Sequence, residues 1–86
     1  MHLNFRRNSV TDLEEVLHLT KLKNLQVLWL SENPVAKHPN YRYFCIKNLP
    51  QLVKLDDQNI SLEERQEAES MEFDLERIIY KNIYKY

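Results

Sequence analysis

Leucine and asparagine recur together in this chain, and that recurrence limits the possible folds more than any other feature. One segment reads Leu3-x-Phe5-x-x-Asn8-x-Val10, and a second reads Leu25-x-x-Leu28-x-Leu30-x-x-Asn33-Pro34-Val35. Superposing Asn8 on Asn33 sets a period of about 25 residues, and self-similarity at such a period marks a stacked-repeat architecture. A degenerate third copy, Leu49-x-x-Leu52-x-x-Leu55-x-Asp57, runs to Ile60. Asp57 falls where Leu30 falls in the second copy, so an inward polar residue is expected to close the stack there. Each copy carries apolar residues two apart, such as Leu3 and Phe5 or Leu28 and Leu30, over a short stretch. That pattern predicts a strand whose leucines point inward and whose intervening residues face the other way. The asparagine after the strand is expected to turn inward and bond neighbouring backbone, so Asn8 and Asn33 are read as structural.

The segments between strands carry helical signals. Thr11-Asp12-Leu13-Glu14 has capping-box spacing, and Leu13, Val16, Leu17 and Leu22 follow at helical intervals. Pro39 suits a first helical position, with His38 or a neighbour as cap, and Tyr41, Phe44, Cys45 and Leu49 form the expected inward stripe. Ser61-Leu62-Glu63-Glu64 is a second capping box, predicting a helix from Leu62 to about Tyr84. Glu63, Glu64 and Glu67 stand near its positive end, and Lys81 and Lys85 near its negative end, as the helix dipole favours. The expected fold class is α/β: a short leucine-rich-repeat solenoid, with parallel strands on the concave face, helices on the convex face and a C-terminal helical cap. Its expected divisions are residues 1–33 (two strands and their connecting helix), 34–60 (a cap repeat) and 61–86 (a C-terminal helix).

Composition excludes several function classes. With 43% hydrophobic and 29% charged residues the chain suits a globular domain, and no apolar run approaches the roughly 20 residues that span a bilayer. A formal net charge of -1 gives no electrostatic reason to expect direct nucleic-acid binding. Cys45 is the only cysteine, so an internal disulfide framework is impossible and a reducing compartment is expected. Asn59-Ile60-Ser61 matches the glycosylation pattern but is expected to go unused there. Glycine is absent, which rules out Gly-rich phosphate loops and leaves positive-φ turns to Asn, Asp or His. His2, His18 and His38 show no metal-ligand spacing, and no nucleophile, base and orienting group can be assembled. The expectation is no enzyme, no cofactor, no metal and no small-molecule substrate.

The stretch Asn33-Pro34-Val35 … Tyr41-Arg42 … Leu49-Pro50-Gln51-Leu52 … Leu55-Asp56 … Ile60 … Glu63-Glu64-Arg65 resembles the cap that ends one class of intracellular leucine-rich-repeat proteins. Within that class, Leu25 to Pro34 and the preceding repeat are most similar to the cilia- and flagella-associated repeat proteins of basal bodies. The run Glu64-Arg65-Gln66-Glu67-Ala68-Glu69 resembles instead the spliceosomal A-prime family, from whose pattern Trp29 departs. The first resemblance implies a scaffold at the ciliary base, in the cytoplasm. The second implies a nuclear subunit that holds a partner protein on RNA.

Leu3 aligns with Leu28, so the counterpart of Leu25 would precede Met1. The chain is thus expected to be a fragment, a truncated gene product or a member of a larger assembly, with Leu3 and Phe5 at a sheet edge that pairs with something. The expected partner-binding residues on the concave face are Asn4 and Arg6, then Val27, Trp29 and Ser31, then Lys54, Asp56 and Gln58. Trp29 leads them, because aromatic anchors dominate interface energetics; the alternative is that it packs across its concave neighbours and binds nothing. Tyr41 and Arg42 could stack a nucleic-acid base, but the cap reading has Tyr41 filling the core end and Arg42 bonding carbonyls or a carboxylate. In the last helix Ala68, Met71, Leu75, Ile78 and Asn82 fall at coiled-coil steps. Ile79, Tyr80, Ile83, Tyr84 and Tyr86 add apolar bulk on other faces. Leu75, Ile79 and Ile83 are therefore expected to dock on a protein partner or a second copy, with no membrane involved.

Overall fold

The structure, a computed structural model, describes residues 1–73. Its frame is a four-stranded sheet in the order β1 (His2–Asn4), β2 (Val27–Trp29), β3 (Lys54–Leu55) and β4 (Gln58–Asn59). The first three strands run parallel, with Leu3 opposite Leu28 and Leu28 opposite Leu55. This is the register that the leucine repeat predicts, and it follows from hydrophobic burial: a one-residue slip would turn each leucine to the wrong face. β4 returns antiparallel to β3 through Asp56 and Asp57, at φ of 54° and 42°. Positive φ at both central residues is what a two-residue hairpin turn of the favoured twist requires.

The parallel strands are joined by segments packed behind the sheet. The first holds α1 (Leu13–Leu17) and a 3₁₀ turn (His18–Lys21), and the second a 3₁₀ turn (Pro34–Lys37) and α2 (Tyr41–Asn48). Leu13, Val16, Leu25, Leu28, Leu30, Val35, Tyr41, Phe44, Cys45, Leu49, Leu52 and Leu55 make one continuous core between the two layers. Two helix starts differ from expectation. α1 is preceded by Asp12 rather than Thr11, and no side-chain capping bond forms there. Pro39 occupies a turn closed by the Tyr41 N–H on the His38 carbonyl (3.0 Å), where proline's fixed φ is equally at home. His38 Nδ1 accepts the Asn40 N–H (3.1 Å), so α2 begins at Tyr41.

α3 (Leu62–Ser70) starts at the expected capping box: the Glu64 N–H donates to Ser61 Oγ (3.0 Å) and the Ser61 N–H to Glu64 Oε1 (3.3 Å). It does not continue toward Tyr84. Met71 is extended, Lys47 Nζ donates to the Met71 carbonyl, and Phe73 lies edge-on against the fully buried Phe44 with centroids 5.3 Å apart. Burial of Phe73 outweighs a further helical turn in this polar stretch, because propensity is a weak force beside tertiary packing. Ala68, the first residue of the expected coiled-coil seam, is fully buried on α3 where that helix packs on α2, so it covers the last repeat. Leu75, Ile78, Ile79, Tyr80, Lys81, Asn82, Ile83, Tyr84, Lys85 and Tyr86 lie outside the described residues.

Candidate functional site

Period-two alternation sorts the strand residues. Leu3, Leu28 and Leu55 face the core, and the residues between them form the opposite surface. His2, Val27, Lys54 and Asn59 stand in one row across the sheet, and Asn4 is beside Trp29 in the next. Trp29 is half-buried at the centre. Its indole Nε1–H donates to Asp57 Oδ1 (3.1 Å), and His2 meets it edge-on at 6.4 Å between centroids. Two cations flank the ring: the Arg6 guanidinium carbon is 5.7 Å and Lys54 Nζ 5.8 Å from its centroid. Both lie within the reach at which a cation is drawn to an indole face. Asn4 Oδ1 accepts from the Arg6 backbone N–H (3.1 Å) and from Arg6 Nε (3.3 Å), which holds the guanidinium over the sheet. Among the described residues neither Arg6 nor Lys54 has a carboxylate within ion-pair distance.

Two of the expected face residues have other work. Val27 is only 8% exposed, because a short side chain between the longer His2 and Lys54 is shielded. Asp56 is a structural carboxylate. Its Oδ1 accepts the Leu30 (2.7 Å) and Ser31 (2.9 Å) N–H groups, and its Oδ2 accepts the Tyr41 hydroxyl (2.7 Å). The strand ends at Leu55, so Asp56 meets backbone donors at the end of β2 instead of standing on the concave face. The expectation of an inward Asp57 is also overturned: Asp57 is exposed at the rim and serves Trp29. Ser31 is half-buried beside the turn, and Gln58, expected on the concave face, pairs with the core-facing Leu55 and so stands exposed on the other side of the sheet. The sequence reading missed His2 and Asp57 as neighbours of Trp29. The alternation that placed Asn4 outward places His2 there too, whereas Asp57 depends on a hairpin that no repeat pattern announces.

Around the face, polar side chains complete the backbone. Asn33, 2% exposed, donates to the Phe5 (2.8 Å) and Leu30 (2.9 Å) carbonyls and accepts the Val10 N–H (3.0 Å), tying two repeats together. Asn8 is exposed and, among the described residues, bonds its own turn alone, at the Phe5 and Arg6 carbonyls. The residues before these asparagines, Arg7 and Glu32, take the left-handed conformation (φ 59° and 63°) expected of Asn, Asp or His. The following Asn side chain, bonded to the turn's carbonyls, holds each in place. Arg42 grips Glu64 through Nε–Oε2 (2.6 Å) and Nη2–Oε1 (3.0 Å) and reaches the Leu55 carbonyl (3.3 Å). The Arg42 hydrogen bond holds the Glu64 carboxyl below its usual value, and the same bond raises Arg42. Tyr41 fills the core end, and burial, then the nearby Cys45, pushes its hydroxyl well above the ordinary value. Burial likewise raises the Cys45 thiol, which suits a core residue and not a nucleophile. Among the described residues no group of three or more His, Cys, Asp or Glu side chains could hold a metal ion. Among the same residues no helix is long and apolar enough to cross a membrane.

Comparison with known proteins agrees with this architecture. Mouse cilia- and flagella-associated protein 410 is 45% identical over 64 residues, covering 72% of this chain and 26% of that protein. Human U2 small nuclear ribonucleoprotein A' is 42% identical over 64 residues, covering 74% and 25%. The Mycosarcoma maydis U2 small nuclear ribonucleoprotein A' is 39% identical over 69 residues, covering 80% and 28%. The chain therefore spans about a quarter of the length of these curated relatives. The crystal structure of the Drosophila melanogaster SNF/U2A' complex contains a chain that superposes with a TM-score of 0.79 at 27% identity, over 94% of this chain and 47% of that one. A family model described as leucine-rich repeat matches residues 1–78, and with these identities it shows that the chain belongs to the leucine-rich-repeat family.

Proposed function

We propose that this chain is a protein–protein recognition module that binds its partner on the concave face around Trp29, and that it serves as a scaffold or adaptor at the cilium or basal body. The observation that carries the reading is Trp29 itself: a half-exposed indole at the centre of the face, with Arg6 and Lys54 beside it and Asn4 and Ser31 around it. An aromatic anchor inside a polar rim is the composition of an interface hot spot. The ciliary use is supported by the likeness of the Leu25 to Pro34 strand segment and by the identity to cilia- and flagella-associated protein 410. A second reading, a ribonucleoprotein assembly subunit that holds an RNA-binding partner protein, is supported by the identity to human U2 small nuclear ribonucleoprotein A' and by the likeness to a chain of the SNF/U2A' complex. Leu75, Ile79 and Ile83 remain the proposed second contact.

Affinity purification of the tagged protein from its own cells, beside Trp29→Ala, tests the reading. Axonemal or centriolar proteins recovered by the wild type and lost by the variant are the expected result. Nuclear RNA and its proteins, lost in the same way, would move the assignment to the second reading. Partners retained in full by Trp29→Ala would overturn the concave-face assignment.

A further inference from the structure

The chain has no glycine, so other residues take its left-handed backbone: Arg7 (φ 59°), Glu32 (63°), Asp56 (54°) and Asp57 (42°). That conformation crowds any Cβ, and each position needs something to hold it. Arg7 and Glu32 are each followed by an asparagine whose amide bonds carbonyls of the same turn. Asp56 is held by its own carboxylate, which takes the Leu30 and Ser31 N–H groups and the Tyr41 hydroxyl. Asp57 has neither device. Gln58 follows it, and among the described residues its carboxylate makes no bond within its own turn. It accepts the Trp29 indole N–H instead (3.1 Å). On backbone grounds alone glycine is the favoured residue at this second hairpin position. What glycine lacks is the acceptor.

The other neighbours of the indole fix it loosely. His2 meets it edge-on and Arg6 stands 5.7 Å from its centroid, but both side chains are themselves exposed; Lys54 stands 5.8 Å away on a flexible stem. The Asp57 carboxylate comes from a fixed place. Its turn is pinned by Asp56 to the N–H groups that follow β2, the strand that carries Trp29. Both ends of the Trp29–Asp57 bond are therefore anchored to the same strand. We propose that Asp57 is a positioning residue for Trp29: it takes the indole N–H and fixes the orientation of the ring, so that the ring face and not the N–H is left for a partner. This rests on the Trp29 reading for its consequence in binding, and it names the residue that prepares the anchor. A ring already held in one orientation loses less freedom when a partner covers it.

Trp29 is the only tryptophan, so tryptophan fluorescence of the full chain reports this ring alone. The wild type is compared with Asp57→Gly, which suits the turn and removes the acceptor, and with Asp57→Asn, which suits the turn and keeps one. Two readouts follow the ring: quenching by acrylamide, which is uncharged and so indifferent to the lost charge, and time-resolved anisotropy. Asp57→Gly should raise the quenching rate constant and the amplitude of the fast anisotropy decay by about twofold each, as fits the loss of one charge-assisted hydrogen bond. Its urea midpoint should stay nearly unchanged, because relief of the left-handed backbone offsets the extra freedom of glycine in the unfolded chain. Asp57→Asn should keep both readouts near the wild type. An indole as ordered in Asp57→Gly as in the wild type overturns the proposal. So does an indole as mobile in Asp57→Asn as in Asp57→Gly, which would make charge and not the hydrogen bond the cause. A collapsed midpoint in Asp57→Gly would assign the side chain to the fold and overturn the positioning role as well. The two readings can fail separately. If the cellular partners depend on Trp29 but the indole ignores Asp57→Gly, only the positioning role falls. If the partners ignore Trp29→Ala, the concave-face reading falls and the fluorescence result stands by itself.

Discussion

The first and last described repeats are built on the same pattern and held differently. In the first repeat Leu3 is half-buried, Phe5 is 39% exposed, and Asn8 bonds its own turn alone among the described residues. In the last, Leu55 is fully buried, Asp56 answers the backbone of β2, and β4 covers the outer edge of β3. Arg65 then reaches the Ile46 (2.5 Å) and Leu52 (2.5 Å) carbonyls from α3, and Arg42 reaches that of Leu55. A leucine or asparagine in a solenoid is worth what its neighbours on both sides make of it. At the cap, charged side chains and one antiparallel hairpin provide the second neighbour.

Substitutions at matched repeat positions should expose that asymmetry. Leu55→Ala should destabilise by about 4 kcal/mol and Leu3→Ala by about 1.5 kcal/mol, because cavity cost depends on burial. Equal shifts in urea midpoint would remove the distinction between the ends. Next in size, Asn33→Ala leaves the Val10 N–H and the Leu30 carbonyl unpaired, while the Phe5 carbonyl keeps Asn8, and should cost about 2 kcal/mol, against less than about 1 kcal/mol for Asn8→Ala. Thermal melts of the two variants side by side give the comparison.

The cap should also be the acid-sensitive end. Glu64 has its folded pKa below the ordinary 4.5, so its contribution is complete above that pH and fades as pH falls through the lower folded value. Glu64→Gln should therefore be less stable than the wild type at pH 7, with the gap closing below about pH 4. A gap that persists unchanged at pH 3 would mean that Glu64 acts by shape and not by charge. The smallest effect belongs to the first two repeats. Arg7 and Glu32 are 82% and 54% exposed, so Glu32→Gln should cost no more than about 0.5 kcal/mol and nothing in high salt.

Which parts were legible in the sequence follows the same division. The register of Leu3, Leu28 and Leu55, the inward stripe of α2 and the Ser61 capping box all repeat a local pattern, and local patterns can be read. So could Arg42, through the resemblance of the cap. The role of Asp56 was not legible, because a carboxylate after a strand looks like any surface acid until the hairpin turn puts it under Leu30 and Ser31. The end of α3 was hidden for a related reason: helical signals run past Ser70, and only the distant Phe44 draws Phe73 out of the helix. Val27 followed the alternation and still lost its exposure to its two neighbours.

Backbone amide hydrogen exchange tests the central claim, that the cap repeat is held more tightly than the repeat that carries β1. The Leu30 and Ser31 N–H groups are held by Asp56, and the Phe5 and Arg7 N–H groups by the Trp29 (2.8 Å) and Ser31 (3.3 Å) carbonyls at the outer strand. The account predicts that Leu30 and Ser31 exchange only through global unfolding, while Phe5 and Arg7 exchange at least tenfold faster through local opening of β1. One common rate for all four amides, or slower exchange at Phe5 than at Leu30, would contradict it.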